Sequence, residues 1–372
     1  MLSTLESAPD LLLRSSRSLA AVGAADSFWV PDHLLGLIPA SIWHTGHSGA
    51  ARLIPRADAY LEPWTTLGYI AARNRRPRMR LGLGVTDSGR RNPAVTAQVA
   101  ASLHLLTRGR AILGIGPGER EGNEPYGVDW KTPVARFEEA LATIRMLWDS
   151  DGRPVSRASR FFPLQDAKFD LPPYRGTRPE IWVGAHGPRT LRAAGRYADA
   201  WFPAFPQLPE DYGKKFDAVR SAASDAGRDP AAITGAGLFL VLTARTRAGV
   251  DELVESIGAR SMALCASGAD WARHGAEHPL GADFSGAQDL LPHVLDEETV
   301  LSYANRVPTS LVREGFMTGT PAEVVERLAE WRRHGLRYPV LTNVSAMCHR
   351  SLSHGLRTAT SFLRVLRAAK RL

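Results

Sequence analysis

Short apolar runs alternate along the chain with longer stretches in which apolar residues recur every three or four positions. The short runs are typical of strands buried on both faces of a parallel sheet, and the longer stretches are typical of amphipathic helices. We predict strands at 26–31, 80–85, 111–115, 180–184, 200–203, 235–242 and 338–341. We predict helices at 15–25, directly after Glu62, and at 93–107, 133–148, 189–197, 211–226, 250–264, 321–334 and 351–369.

Strands that alternate with helices predict a parallel sheet with right-handed crossovers. Seven strands are one short of a closed (β/α)8 TIM barrel, which is the fold that we predict, with insertions. Polar and glycine-rich residues follow the strands, at the edge where barrel enzymes keep their sites. A doubly wound sheet is the alternative, but its dinucleotide fingerprint is absent, because Gly114 and Gly116 are followed by Glu119 where a third glycine is required.

The stretch 109–127, GRAILGIGPGEREGNEPYG, is the most informative part of the chain. An apolar run ends in three closely spaced glycines, and acidic and amide side chains follow: Gly114, Gly116 and Gly118, then Glu119, Glu121, Asn123 and Glu124. Glycine at a strand end allows unusual backbone angles or a close approach by a ligand. This stretch therefore predicts one wall of an active site.

Composition narrows the class of protein. The 372 residues carry a formal charge of +8, which indicates either a solvated surface or attraction to an acidic ligand such as a phosphorylated cofactor. The arginines are scattered and form no basic stripe with aromatic residues, so we expect no nucleic-acid partner. Cys265 and Cys348 are far apart, which argues against a disulfide scaffold or a zinc site and favours the cytoplasm. No apolar run approaches the ~20 residues of a membrane span, and the acidic Glu6 and Asp10 argue against a signal peptide.

Two short motifs could carry chemistry. Asp32-His33 follows the first predicted strand, and the unperturbed pKa of histidine, about 6.5, suits proton transfer; a structural histidine beside a capping aspartate is the alternative. His186 and Thr190 flank a glycine turn that opens a helix, which is either an anion site or an ordinary tight turn. Glu119 and Glu121 are either general acids or solvated loop charges, and we expect Glu62 to cap a helix.

Taken together, five segments resemble the bacterial-luciferase-like family: DSFWVPDH, EPW, GRAILGIGPGEREGNEPYG, PEIWVGAHGPRTLRAAGRYADAW and GTPAEVVERL. Within that family they are similar to the deazaflavin-dependent branch, which uses coenzyme F420. The runs RRNPAVTAQ, PVARFEEALATIR, VRSAASDAGRDP and HPLGADFSG extend the likeness to ketoreductases that act on long-chain lipids. The resemblance covers nearly the whole chain from about residue 15.

The resemblance implies one barrel domain over 1–372, with insertions near 34–59, 149–179 and 266–308. It implies reduction of a keto group on a lipid by hydride from reduced F420, with loops 34–59 and 266–308 forming an apolar cleft. An FMN-dependent monooxygenase and a cofactor-binding protein without catalysis are the alternatives. We expect no metal, and we leave a homodimer open.

The resemblance also assigns residues. His33 would be the catalytic acid/base and Glu119 a second proton-transfer group, although one extra residue separates Glu119 from Asn123 relative to the sugar-phosphate dehydrogenase branch. The deazaflavin would lie against Asp32, Thr86, Gly118 and Asn123, and its phosphate against His186, Gly187, Arg189 and Thr190. A non-prolyl cis peptide is expected near Gly84. The lysines that bind sugar phosphate in that branch have no counterpart here, so a glucose-6-phosphate dehydrogenase is not expected.

The beginning of the chain departs from the family pattern. The family starts with a buried strand, whereas residues 1–9, MLSTLESAP, are short and polar. Either the start lies downstream of the real one, or the barrel lacks a sound first strand. In the second case the strands 26–31 and 338–341 would be two open edges.

Overall fold

A parallel sheet forms the centre of the molecule, and helices pack on its outer face. The computed structural model describes residues 25–73, 79–205 and 208–372. The strands are β1 (Ser27–Val30), β2 (Arg80–Leu83), β3 (Thr86–Asp87), β4 (Ala111–Gly116), β5 (Val155–Arg157), β6 (Leu164–Ala167), β7 (Glu180–Val183), β8 (Ala200–Trp201), β9 (Thr234–Thr243), β10 (Met317–Gly319) and β11 (Tyr338–Asn343). The helices are α1 (Pro63–Arg73), α2 (Pro93–Leu106), α3 (Pro133–Asp149), α4 (Pro188–Tyr197), α5 (Pro209–Asp225), α6 (Arg247–Val254), α7 (Ile257–Ala263), α8 (Gly268–Arg273), α9 (Glu297–Arg306), α10 (Thr309–Gly315), α11 (Pro321–Arg333) and α12 (Leu352–Ala369).

Seven strands follow one another across the sheet in the order β1-β2-β4-β7-β8-β9-β11, and every pair is parallel. The short strands β3 and β10 pair with β4 and β9. Within the described residues, β1 pairs with β2 alone and β11 with β9 alone. The predicted helix 15–25 and the proposed defect at 1–9 lie outside the described residues, apart from residue 25 itself.

Side chains inside the sheet show that it curls. The ring of Trp182, on the central strand β7, lies 5.0 Å from the ring of Trp29 on β1 and 4.8 Å from the ring of Tyr338 on β11. One side chain therefore contacts both outermost strands of the row, which is possible only if the sheet bends round it. Phe202 packs 4.9 Å from Trp29 and completes an aromatic filling of the interior.

Alternation along the strands sorts side chains between the two faces. On β1, Trp29 belongs to the inner cluster and Phe28 to the outer one that faces the helices. The period of two is the ordinary geometry of a strand. Gly82, paired with Trp29 across β1 and β2, leaves room for the indole, because a Cβ there would lie 2.5 Å from the ring. The barrel class and its seven predicted strands are thus confirmed.

Five local predictions need correction. Residues 86–87 form a strand where we predicted no element, and β10 and α10 also fall where we predicted none. The irregular region 149–179 contains the β5–β6 hairpin. The predicted helix 250–264 is two helices, because the Ser256 hydroxyl accepts from the amide of Ala259 and so caps a new helix. The segment 266–308, expected to be a loop, contains α8 and α9.

Two long segments lie over the carboxyl ends of the strands. The 34–59 loop follows β1, and the 266–308 insertion follows α7. The insertion is bonded to the loop after β4, where the amide of Arg120 donates to the carbonyl of Gln288 at 2.8 Å and the Trp130 indole donates to Asp289. The 34–59 loop contacts the insertion as well, since its short helix Ala40–Ile42 packs on α9. No described helix is long and apolar enough to cross a bilayer.

Candidate active site

A histidine and two carboxylates meet where β1 and β4 end. His33 lies three residues beyond β1, and Glu119 and Glu121 lie in the loop after β4. Nδ1 of His33 is 3.0 Å from Oε1 of Glu121 and 3.4 Å from Oε2 of Glu119. Glu121 is only 1% exposed, whereas His33 and Glu119 keep part of their side chains open. The imidazole is therefore anchored through Nδ1, and Nε2 is the nitrogen turned away from the carboxylates.

The charges in this cluster shift its proton equilibria. Burial alone would lower the pKa of His33, but the carboxylates of Glu119 and Glu121 outweigh it and raise that pKa to about 9. Burial is also the largest influence on Glu119 and raises its pKa to about 7, against the lowering effect of His33. Near neutral pH the histidine is therefore an imidazolium and can give up a proton.

Tyr60 forms a second wall beside the histidine. Its ring centroid lies 5.9 Å from that of His33. Burial raises the pKa of the Tyr60 phenol, and the nearby carboxylates, with Asp58 first, raise it further. The hydroxyl is therefore a neutral hydrogen-bonding group at the mouth of the site.

Asp32 is held from three sides and fixes the chain beside His33. Its carboxylate accepts from the Thr86 hydroxyl at 2.5 Å, from Arg91 at 2.5 Å, and pairs with Arg90 at 3.0 Å. Arg90 also donates to the backbone carbonyl of Asp32. Arg91 reaches on to Glu62, which caps α1 through the amide of Thr65, as the sequence predicted.

The ends of β3 and β4 are bonded to each other through Asp87 and Asn123. The Asn123 side-chain amide donates to the carboxylate of Asp87 and to the carbonyl of Glu119. Gly118 has φ +89, and a Cβ there would lie 2.0 Å from Asp87, so only glycine fits this turn. Oδ1 of Asn123 is buried and has no partner among the described residues.

The backbone between β2 and β3 contains the expected cis bond. The peptide between Gly84 and Val85 is cis, although no proline is involved. The Val85 side chain lies close to Gly116 and Gly184, which are at the ends of β4 and β7. Val85 is therefore packed between the ends of two neighbouring strands.

The turn after β7 opens α4 without a side-chain cap. Gly187 is the N-cap residue, and a Cβ built on it would meet no described atom within 4 Å. Thr190 holds the turn, because its hydroxyl donates to the Gly187 carbonyl and accepts from the His186 amide. Burial, and next the charge of Lys215, lower the pKa of His186 to about 4, so this imidazole is neutral. A helix start with open space before it suits an anion.

The structure brings the candidate residues together in two groups. Asp32, His33, Thr86, Gly118, Glu119 and Asn123 form a connected network, while His186, Gly187 and Thr190 form the turn before α4. Arg189 is the fourth phosphate candidate, and its guanidinium pairs with Glu138 at 2.5 Å. Because this side chain is engaged elsewhere, Arg189 would bind an anion through its backbone N–H.

Sequence reasoning missed several members of the site. Arg90 and Arg91 were given no role, and Glu121 was weighed as an acid but not chosen over Glu119. A possible signal for the arginines was the pair itself, placed directly after a strand end with a buried aspartate to neutralise. No pattern distinguished Glu121 from Glu119, because both stand in the same polar loop.

An acid/base group at the carboxyl edge of a curled parallel sheet, beside a helix start open to anions, defines an α/β-barrel enzyme. The chain belongs to the luciferase-like monooxygenase family, whose model matches residues 17–338. It is an oxidoreductase.

Three similar proteins illustrate the relationship. The chain is 59% identical over 365 residues to a phthiodiolone/phenolphthiodiolone dimycocerosates ketoreductase of Mycobacterium sp. (strain JLS), covering 98% of this chain and 96% of that one. It is 32% identical over 243 residues to an F420-dependent hydroxymycolic acid dehydrogenase of Mycobacterium tuberculosis, covering 62% and 60%. An F420-dependent secondary alcohol dehydrogenase, solved with an F420-acetone adduct, has a TM-score of 0.72 at 21% identity, over 97% of this chain and 95% of that one.

Proposed function

We propose that this enzyme reduces the keto group of a long-chain lipid of the phthiodiolone type and that it uses reduced coenzyme F420. The substrate class is supported by the 59% identity with the ketoreductase. The observation that carries the reaction type is the contact of His33 with two carboxylates at the carboxyl edge of the sheet, which raise its pKa to about 9.

The hydrogen-bonding groups at the strand ends fit a deazaflavin. Asn123 has a buried carbonyl oxygen and Ser88 a buried hydroxyl, neither with a partner in the part of the chain that the structure describes, and the imide edge of such a ring could bond to them. The open space before Gly187 suits the cofactor phosphate, which would receive backbone N–H groups at the start of α4. Bound there, the reduced cofactor would supply the hydride.

The residues of this chain would then supply the proton that completes the alcohol. The imidazolium of His33 donates from Nε2 to the oxygen of the former carbonyl, which becomes the alcohol. Glu121 holds the imidazole through Nδ1 and stabilises its charged form before the transfer. Asp32, fixed by Thr86, Arg90 and Arg91, keeps the backbone next to His33 in place.

The apolar part of the substrate has a suitable entrance. Leu34, beside His33, and Leu61, beside Tyr60, are 43% and 39% exposed, and Tyr126 is 47% exposed. The flanking segments add exposed Leu53, Leu280 and Val294. Apolar groups that stay exposed beside a polar site often mark a binding surface. We infer that the acyl chains lie between the 34–59 loop and the 266–308 insertion.

Anaerobic titration with reduced F420 and, separately, reduced FMN tests the cofactor, and turnover on a keto-lipid tests the reaction. We expect saturable binding of F420 and formation of the alcohol, both with wild type and with the exposed-histidine control His354→Ala. Turnover with FMN and oxygen in place of F420 would favour a monooxygenase. Binding without turnover would indicate a cofactor-binding protein.

The proposed location is the cytoplasm, and a homodimer stays open as the assembly. Cys265 and Cys348 are both free thiols, which suits a reducing compartment. Light scattering of the purified chain would measure the assembly directly.

A further inference from the structure

A second cluster of histidine and carboxylate side chains joins the 34–59 loop to the 266–308 insertion. Nε2 of His44 lies 3.0 Å from Oε1 of Glu297, and Nε2 of His47 lies 3.1 Å from the same oxygen. The two imidazole centroids are 4.7 Å apart, and their planes are inclined by 54°. Three potential donor atoms, from two separate segments, thus converge on one point.

The spacing suits a transition metal. The three donor atoms lie within 4.8 Å of one another. Two donors that each lie about 2.0–2.1 Å from a tetrahedral zinc ion are about 3.3 Å apart. The two imidazole nitrogens lie at a similar distance from Oε1 of Glu297, 3.0 and 3.1 Å. We propose that His44, His47 and Glu297 bind a divalent transition-metal ion of the zinc type, with water as the fourth ligand.

The surroundings of Glu297 keep it available as a ligand. It lies in the first turn of α9, which Asp296 caps by accepting from the amide of Thr299. The Glu297 side chain is 45% exposed, so an ion can reach the carboxylate from solvent.

The two histidines differ in how readily they can bind. Nδ1 of His47 is buried and meets no polar group among the described residues, while its Nε2 faces the Glu297 carboxylate and therefore carries the ring proton. Nδ1 of His44 accepts from the Gly46 amide at 3.2 Å, which places its proton on Nε2. A metal at that nitrogen would shift the proton to Nδ1, which would then donate to water at this half-exposed position in place of accepting from Gly46.

The consequence of binding would be mechanical. The 34–59 loop begins directly after His33, and the insertion is already bonded to Arg120 between the two glutamates of the active site. A metal held by His44, His47 and Glu297 would link the 34–59 loop directly to the 266–308 insertion. Both segments that border the active site would then be fixed to each other. The proposal does not depend on the substrate or the cofactor.

Titration of the full-length chain with Co²⁺, followed by displacement with Zn²⁺, tests the site. We expect one bound ion with the strong visible absorption of tetrahedral cobalt, and a thermal midpoint that rises with zinc. His47→Ala should weaken zinc binding at least 100-fold, and Glu297→Gln at least 10-fold. Glu298→Gln, which removes an exposed charge from the same turn, is the matched control and should bind as wild type does.

The active-site cluster is the competing location, because His33, Glu119 and Glu121 also bring three donor atoms within 4.8 Å. His33→Ala should keep the cobalt band if the proposal is correct. Loss of the band in His33→Ala, or normal zinc affinity in folded Glu297→Gln, would overturn it. The Glu297 variant keeps this test decisive if His47→Ala does not fold, since Glu297 is exposed.

Discussion

Nδ1 of His33 is 3.0 Å from Oε1 of Glu121, a residue 88 positions away in the chain. The contact joins the end of β1 to the loop after β4 and gives the imidazole one defined orientation. The second oxygen of Glu121 is buried without a partner among the described residues, so the contact with His33 is the main interaction of this carboxylate. A buried carboxylate that faces an imidazole both orients the ring and favours its protonated form.

Glu121→Gln should change the pH dependence of the reaction. Ketone reduction needs protonated His33, whose pKa is about 9, so kcat/KM should fall as pH rises through about 9. Removing the Glu121 charge lowers the pKa of His33, and the fall should begin at lower pH. The control Glu124→Gln removes an exposed carboxylate paired with Arg120 and should leave the profile unchanged. An identical profile in both variants would exclude the role given to Glu121.

His33→Ala removes the proposed proton donor itself. We expect turnover to drop by roughly 10²–10⁴-fold, with F420 affinity largely kept. Glu119→Gln should cost less, because Glu119 lies farther from Nδ1, at 3.4 Å, and Glu121 still holds the ring. Steady-state kinetics on both variants decides between them. Near-normal turnover in His33→Ala with a large loss in Glu119→Gln would reverse the two roles.

Asp32→Asn leaves two guanidinium groups without their shared carboxylate. Asp32 is almost fully buried, and breaking a buried ion pair from one side costs about 3–5 kcal/mol. We expect the free energy of unfolding, measured in urea, to fall by about 3 kcal/mol. Glu62→Gln removes a half-exposed partner of Arg91 and should cost less than about 1 kcal/mol. Equal losses would mean that the Asp32 network contributes nothing special to the fold.

Gly187→Glu tests the phosphate position before α4. The new side chain enters open space and places a negative charge where the cofactor phosphate is proposed to bind. F420 affinity should drop about tenfold or more, equivalent to ~1.4 kcal/mol. Gly68→Glu, on α1, adds the same charge where a Cβ also meets no described atom within 4 Å, and should bind F420 normally. Unchanged affinity in a folded Gly187 variant would remove this turn from the site.

The strands that sequence predicted well are those with strong burial on both faces. The run at 111–115 became β4, with all six residues of the strand buried. Among the strands that it missed, β3 and β10 have two and three residues, too few for a period to be recognised. Their existence depends on neighbours already in the sheet, since β3 pairs with the end of β4 and β10 with the end of β9.

The site was predictable as a location but not as a network. Residues after β1 and β4 were expected to meet because parallel strands end at the same edge. Which glutamate would be buried depended on a turn of Arg120–Gly122 that turns Glu121 inward, and no spacing rule contains that information. The contacts of Arg90 and Arg91 with Asp32 could not be predicted for a similar reason. Long side chains reach several groups, and only the folded structure shows which of them are near.

The bond from the Arg120 amide to the Gln288 carbonyl involves main-chain atoms only. Exchange of either side chain leaves its donor and acceptor in place unless the new residue at 120 is proline. An insertion or deletion between Cys265 and Gln288, in contrast, would pull on the peptide that carries Glu119 and Glu121. Side chains of the 266–308 insertion can thus be exchanged one at a time without breaking this bond. A change in the length of the insertion would instead shift Glu119 and Glu121, and with them His33, the proposed proton donor.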